Sequence, residues 1–112
     1  MDPYSDWEDA RDNARQANRD YRESGRRYAV ANAKYYREKA LAGARMKARG
    51  YPATYIEQVL KGQEEVNQAL LERDMAKAEH DADRMQNVLF NQEEAHTYDQ
   101  LKRSMAGDSE RF

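Results

Sequence analysis

The sequence predicts an all-α fold, an antiparallel helical hairpin of two long helices with a short helix at the bend. Two long stretches repeat apolar or small residues every three or four positions, which is the spacing of one face of a helix. Between them lies a short segment with signals for ending one helix and starting another. We therefore expect a single domain, with a first arm over 5–49, a bend over 50–62, a second arm over 63–106 and a frayed tail over 107–112.

The bend is marked by its glycines and its proline. Gly50 suits the left-handed position that follows a helix, and Pro52 prevents that helix from continuing. Thr54 and Glu57 have the spacing of a capping box, which predicts a short helix that starts at Thr54 and ends at Gly62. The apolar residues of this helix fall on one face and are expected to close the end of the hairpin: Ile56, Val59 and Leu60.

The first arm has two candidate starts. Ser5 and Glu8 form a capping box, and Asp2 before Pro3 offers a start one turn earlier. The residues expected to face the second arm alternate in spacing between three and four, with Ser24 as the one interruption: Ala10, Ala14, Ala17, Tyr21, Tyr28, Ala31 and Tyr35.

The second arm is expected to begin at Gln63, because Glu64 and Glu65 place acidic groups in its first turn. Gly107 is its predicted terminator. In this arm, apolar or small residues again alternate in spacing between four and three, which predicts the face toward the first arm: Leu71, Met75, Ala78, Ala82, Met85 and Leu89.

Composition limits how much core the chain can build. It has 112 residues, of which 39% are hydrophobic, and a mean hydropathy of −1.24. A small helical scaffold with so little to bury commonly gains stability by association. We therefore expect a homodimer that forms a four-helix bundle over part of its length.

The chain contains no cysteine, which excludes disulfides and thiolate metal sites and is compatible with a reducing compartment. No run approaches the roughly 20 apolar residues of a membrane span, and the amino terminus lacks the basic and apolar regions of a signal peptide. The expected location is the cytoplasm.

Charge is divided between the two arms. Residues 15–49 carry eleven Lys or Arg against three acids, whereas residues 57–99 carry eleven acids against four bases. Pairing between the arms in an antiparallel hairpin is the favoured interpretation. The alternative is a nucleic-acid interface on the basic arm, where Tyr28, Tyr35 and Tyr36 would stack on bases.

No catalytic signature is recognised, so we expect no enzyme and no cofactor. Glu93 and His96 have the Glu-x-x-His spacing found in di-iron four-helix bundles. Such a site needs two copies of this motif and two further carboxylates, and a lone match is expected by chance in a chain rich in Glu. No metal site is predicted, and His80 and His96 are interpreted as ordinary polar helix positions.

The bend is also the candidate partner-binding surface. Tyr21, Tyr28 and Tyr35 repeat every seven residues and are interpreted as packing between the arms. The other tyrosines near the bend, with their basic neighbours, have the composition of a binding hot spot. The candidate partner-binding residues are Tyr36, Tyr51, Tyr55, Lys61, Lys47 and Arg49. In the alternative interpretation the bend is only a structural plug.

A resemblance covers about half of the chain. The residues that carry it are Gly50, Ile56, Val59, Lys61, Gly62, Val66, Arg73, Asp74 and Ala76. In this segment the chain resembles small helical early proteins of phages that infect Gram-positive bacteria. The resemblance implies a phage or prophage accessory protein in the host cytoplasm that binds a host nuclease, a defence complex or a recombination enzyme.

A second family of similar size, the secreted Trp-x-Gly helical hairpins, fits the sequence less well. Trp7 lies at the amino terminus and is followed by Glu8 and Asp9, and Tyr98 is followed four residues later by Lys102 instead of an acid. Both marks of that family are therefore missing.

Overall fold

A computed structural model describes residues 2–110 and is all-α. Helix α1 spans Pro3–Ala48, α2 spans Ala53–Leu60 and α3 spans Glu64–Glu110. Helices α1 and α3 pack against each other, and α2 lies between them in the chain. Contacts that pair successively later residues of α1 with earlier residues of α3 show that the two run antiparallel, which confirms the predicted hairpin.

The start of α1 is set by Asp2 and not by the predicted capping box at Ser5. The Asp2 carboxylate oxygen Oδ1 accepts a hydrogen bond from the backbone N–H of Tyr4 at 3.1 Å, and the Asp2 carbonyl accepts one from Asp6 at 3.0 Å. Pro3 then occupies the first helical position, where its missing N–H is not needed. The earlier of the two candidate starts is therefore correct, and Ser5 lies inside the first turn.

The end of α1 is the predicted glycine turn. Gly50 has a φ of +88°, which an L side chain rarely adopts. The N–H of Tyr51 donates to the carbonyl of Met46 at 3.2 Å, and that of Gly50 donates to Lys47 at 3.0 Å. These two bonds define a Schellman motif, which satisfies carbonyls at the end of the helix.

Helix α2 begins one residue earlier than its predicted cap. Pro52 occupies the N-cap position in an extended conformation and makes no side-chain capping bond. Thr54 therefore lies in the first turn, and the predicted capping box is wrong. Ile56 and Leu60 lie against Gly43, as expected for a short helix that closes the end of the hairpin. No residue of α2 is fully buried, so this closure is only partial.

Helix α3 does not stop at the predicted glycine. It continues through Gly107 to Glu110, because a glycine in a helix costs only about 1 kcal/mol relative to alanine and does not by itself end the helix. The predicted end of α3 at Gly107 is therefore wrong, and residues 111 and 112 of the predicted tail lie outside the described part of the chain.

The chain divides into two compact units. In the first, residues 3–23 of α1 pack with residues 81–110 of α3. Its buried core consists of alanines, Ala10, Ala14 and Ala17, each at most 4% exposed. Asn18 accepts hydrogen bonds from the side chains of Asn87 and Asn91. This contact therefore combines small residues on α1 with amides on α3.

The second unit is Ser24–His80 and includes the bend. Its buried residues are Ser24, Met46, Val66 and Ala69. His80 Nδ1 lies 3.1 Å from Ser24 Oγ, and its ring stacks on Tyr28 with centroids 6.2 Å apart. Here too a polar residue of α3 packs against the inner face of α1.

The predicted inner face of α1 is confirmed, since Ala10, Ala14 and Ala17 are buried and Ala31 and the three tyrosines are half-buried. The predicted inner face of α3 is wrong. All six of its residues are exposed, including Leu71 at 54%, Met75 at 65% and Met85 at 61%. The residues of α3 that face α1 include His80, Asn87 and Asn91, which find polar partners there. Hydrophobic periodicity assumes that apolar residues face the partner helix, so it predicts the opposite face of α3 as the inner one.

Two ion pairs join the basic and acidic arms in the second unit. Arg27 pairs with Glu79 at 2.6 Å, and Lys34 pairs with Glu72 at 3.1 Å. All four side chains are about half exposed, so each pair contributes only about 0–1 kcal/mol. The predicted pairing between the arms is confirmed at these two positions.

Candidate functional site

The bend presents two exposed tyrosines in contact. Tyr51 and Tyr55 are 44% and 47% exposed, and their ring centroids are 5.1 Å apart at an interplanar angle of 35°. Tyr51 follows the glycine turn and Tyr55 lies in the first turn of α2, so Pro52 fixes the short connection between them. A pair of rings held on a rigid turn offers a large contact area at low entropic cost.

A groove of about 430 Å³ lies in the same unit and is formed by all three helices. The groove residues that are buried or half-buried are apolar, and those that are exposed are polar. The apolar members are Tyr35, Leu60, Val66 and Leu70, and the polar members are Lys39, Glu57, Lys61 and Asn67. An apolar floor with a charged rim is the usual anatomy of a recognition site.

The structure brings together only some of the predicted site residues. Lys61 lines this groove, whereas Arg49 lines a second groove of about 340 Å³ with Met46 and Glu64. Lys47 is exposed and lines neither groove. Tyr36 is 56% exposed, and its ring centroid lies 5.3 Å from that of Tyr35.

Sequence reasoning missed most of the groove. Tyr35 is predicted to pack between the arms or, in the alternative, to stack on a base, whereas in the structure its ring carries the guanidinium of Arg73 at 4.5 Å from its centroid. Lys39 and Leu70 carry no sequence signal of a shared site, because they lie on different helices and no spacing along the chain connects them. The sequence signal for this site is the tyrosine-rich composition around the bend.

The two histidines have different roles. His80 is half-buried between the long helices, where it contacts Ser24, Tyr28 and the backbone position of Gly25. It is therefore part of the packing, which corrects its interpretation as an ordinary polar position. His96 is exposed, and its Nε2 lies 3.2 Å from the side-chain nitrogen of Gln100.

The side chains of residues 2–107 contain no group of three or more His, Cys, Asp or Glu arranged to hold a metal ion. Over the same residues, no helix combines the length and the apolar character needed to cross a membrane. The chain matches no protein-family model, no curated protein and no solved structure. The interpretation of the site therefore depends on its own geometry.

Proposed function

We propose that this protein acts without catalysis, by binding another protein through its bend. Together with the resemblance of the segment from Gly50 to Ala76, this makes it a candidate phage or prophage accessory protein. Its partner would be a host nuclease, a defence complex or a recombination enzyme, and its effect would be to inhibit or modulate that partner.

The single observation that supports this proposal most is the exposed ring pair of Tyr51 and Tyr55 in the unit that also holds the apolar-floored groove. Tyrosine is enriched in binding hot spots, and a groove with an apolar floor can receive an apolar side chain of a partner. The cation of Lys61 at the rim favours an acidic group beside that side chain.

We also propose that the protein forms the expected homodimer, with four helices brought together in the assembly. The support is the amount of apolar surface that a single chain leaves in water: the exposed large hydrophobic residues include Val30, Leu41, Met75, Met85 and Leu89. A second copy would remove some of these side chains from water, and the burial of apolar area stabilises association.

The alternative function is association with nucleic acid through the basic face of α1. Its support is that Arg15, Arg19 and Arg22 are exposed and follow one face of that helix. The protein-binding proposal is preferred because the net charge of the chain is −2. Binding of duplex DNA that weakens steeply with rising salt would favour the alternative.

We expect that Tyr55→Ala and Lys61→Ala each weaken partner binding by about 1 kcal/mol or more, close to a fivefold or larger rise in Kd. Both side chains are exposed, so helix content and melting temperature should change little. The measurement is quantitative capture of proteins from a host lysate by the wild type and by each variant, followed by titration of the protein that is captured.

The matched control is Gln58→Ala, which changes an exposed residue on the same short helix. It should capture the same protein as the wild type. If Tyr55→Ala and Lys61→Ala bind normally while Ile56→Ala unfolds the protein, the bend is a structural plug and the proposed binding surface is wrong.

A further inference from the structure

The first unit contains a pocket with aromatic walls, which we call the aromatic pocket. Its volume is about 300 Å³. It is lined by Trp7 of α1 and by four residues of α3, Asn91, Glu94, Ala95 and Tyr98. The four residues of α3 are spaced by three, one and three positions, which places them on one face of that helix. The proposed binding through the bend makes no use of this pocket.

Two rings form the walls of the aromatic pocket. The ring centroids of Trp7 and Tyr98 are 6.0 Å apart, and the rings are inclined at 48° to each other. Tyr4 adds a third ring beside Trp7, with centroids 5.8 Å apart. Because Ala95 contributes only a methyl group to the lining, the space between the larger side chains stays open.

The carboxylate and the amide of the aromatic pocket present acceptors to a ligand. Glu94 is half-buried, and its carboxylate forms no ion pair with any side chain of residues 2–107. The amide nitrogen of Asn91 already donates to the side chain of Asn18 and to the carbonyl of Asn87, so the amide oxygen remains for a ligand. The faces of aromatic rings also carry negative partial charge. No Lys or Arg lines the pocket, so its electrostatics favour a cation.

Cations of the chain itself already stack on both rings. The guanidinium of Arg11 lies 5.0 Å from the ring centroid of Trp7, and the ammonium of Lys102 lies 5.0 Å from that of Tyr98. Arg11 is also paired with two neighbouring carboxylates, which offset its charge. Neither cation lines the aromatic pocket. Both rings therefore take part in cation–π contacts while the pocket stays open.

The small number of acceptors decides which kind of cation fits. A primary ammonium or a guanidinium carries several N–H donors, and each donor that is removed from water needs an acceptor. Apart from its aromatic residues, the pocket offers one carboxylate and one amide oxygen. A quaternary ammonium has no N–H to satisfy, and aromatic faces bind it through the charge spread over its methyl groups. The aromatic pocket therefore suits a quaternary ammonium best.

We propose that the aromatic pocket binds the trimethylammonium group of a small organic cation such as choline. Trp7 and Tyr98 contact the methyl groups, and the Glu94 carboxylate balances the charge. The ligand carries no anion close to its nitrogen, because the pocket has a carboxylate and no basic residue to meet such an anion. Phosphocholine, and a lipid head group that contains it, therefore fit less well than choline.

Tryptophan fluorescence reports on this site directly, because Trp7 is the only tryptophan of the chain. Titration of the full chain with choline chloride at constant ionic strength should change this fluorescence with a Kd in the millimolar range. Broadening of the choline methyl resonance in NMR gives a second readout. The control ligand is the neutral carbon analogue of choline, in which a tert-butyl group replaces the trimethylammonium. It should bind at least about fivefold more weakly, because it lacks the charge.

Three variants that keep Trp7 test the lining of the pocket. Ala95→Leu fills the pocket and Tyr98→Leu removes one ring, and each should weaken choline binding at least about fivefold. Glu94→Gln keeps the shape of the side chain, removes its charge and should also weaken binding. The matched control is Gln92→Ala, which changes an exposed residue of α3 that does not line the pocket and should bind like the wild type.

The outcomes separate the parts of the proposal. A wild type that binds no choline by either readout overturns it, and so does equal binding of choline and its neutral analogue. Unchanged choline binding by Ala95→Leu overturns the location of the site. Tighter binding of phosphocholine than of choline overturns the choice of a ligand without an attached anion.

Discussion

Ala14→Leu is expected to destabilise the protein by about 2 kcal/mol. Ala14 is 1% exposed and lies between the buried residues Ala10 and Ala17, so the first unit has a core of small side chains. Extra methyl groups in a packed core commonly cost about 1–3 kcal/mol, because side chains and backbone must shift to admit them. Leucine and alanine are both good helix formers, so this cost measures packing and not helix propensity.

Thermal unfolding followed by circular dichroism at low protein concentration measures the effect, with each kcal/mol lowering Tm by about 4–8 °C in a domain of roughly this size. The matched control is Ala95→Leu in the same unit, at an exposed position of α3. It should change stability by no more than about 0.5 kcal/mol. Equal effects of the two substitutions would contradict the burial of Ala14.

The second large effect is expected from His80→Ala, which should cost about 2 kcal/mol. The substitution removes the contact between Nδ1 and Ser24 Oγ and the stacking on Tyr28. A hydrogen bond contributes about 0.5–1.5 kcal/mol, and the loss of packed ring atoms adds to that. The His80 ring also lies close to Gly25. A Cβ added at Gly25 would lie 3.2 Å from the ring.

Urea unfolding of His80→Ala, Ser24→Ala and the double variant provides the measurement. The double-mutant cycle should give a coupling energy of about 1 kcal/mol, because the two side chains are in direct contact. His96→Ala is the control, since it removes the same type of residue from an exposed position of α3. A loss of stability as large for His96→Ala as for His80→Ala would show that burial of His80 is not the cause.

The helices and their connections were predictable because local rules decide them. The glycine turn at Gly50 followed from the absence of a Cβ and from Pro52 two residues later, and the observed bonds of Tyr51 agree with it. The two errors at helix starts share one feature, a proline beside the observed start. Pro3 is the first residue of α1 and Pro52 is the N-cap of α2, so both helices begin before the side-chain caps expected at Ser5 and Thr54.

The face of α3 that packs on α1 could not be read from hydrophobic periodicity. That rule assumes that apolar residues face the partner helix, whereas His80, Asn87 and Asn91 face it here and bond to Ser24 and Asn18. Small residues on α1 allow this, because they bring the backbones close enough for short polar side chains to meet. The inner face of α3 is polar at these three positions, although Val66 and Ala69 of the same helix are buried apolar residues.

The candidate site was predictable only in part, for a related reason. Tyr51 and Tyr55 are close in the chain, and their proximity follows from the turn between them. The groove combines Tyr35 of α1, Leu60 of α2 and Leu70 of α3, which only the packing of three helices brings together.

Helix α3 contacts α1 through the face that carries His80 and leaves Ala78 exposed on its opposite side. Because the chain has no cysteine, a pair of introduced cysteines tests this directly. Ser24→Cys combined with His80→Cys should be joined by a short bifunctional thiol cross-linker in dilute protein, and Ser24→Cys combined with Ala78→Cys should not. Intramolecular linkage of the Ala78 pair without linkage of the His80 pair would contradict the account.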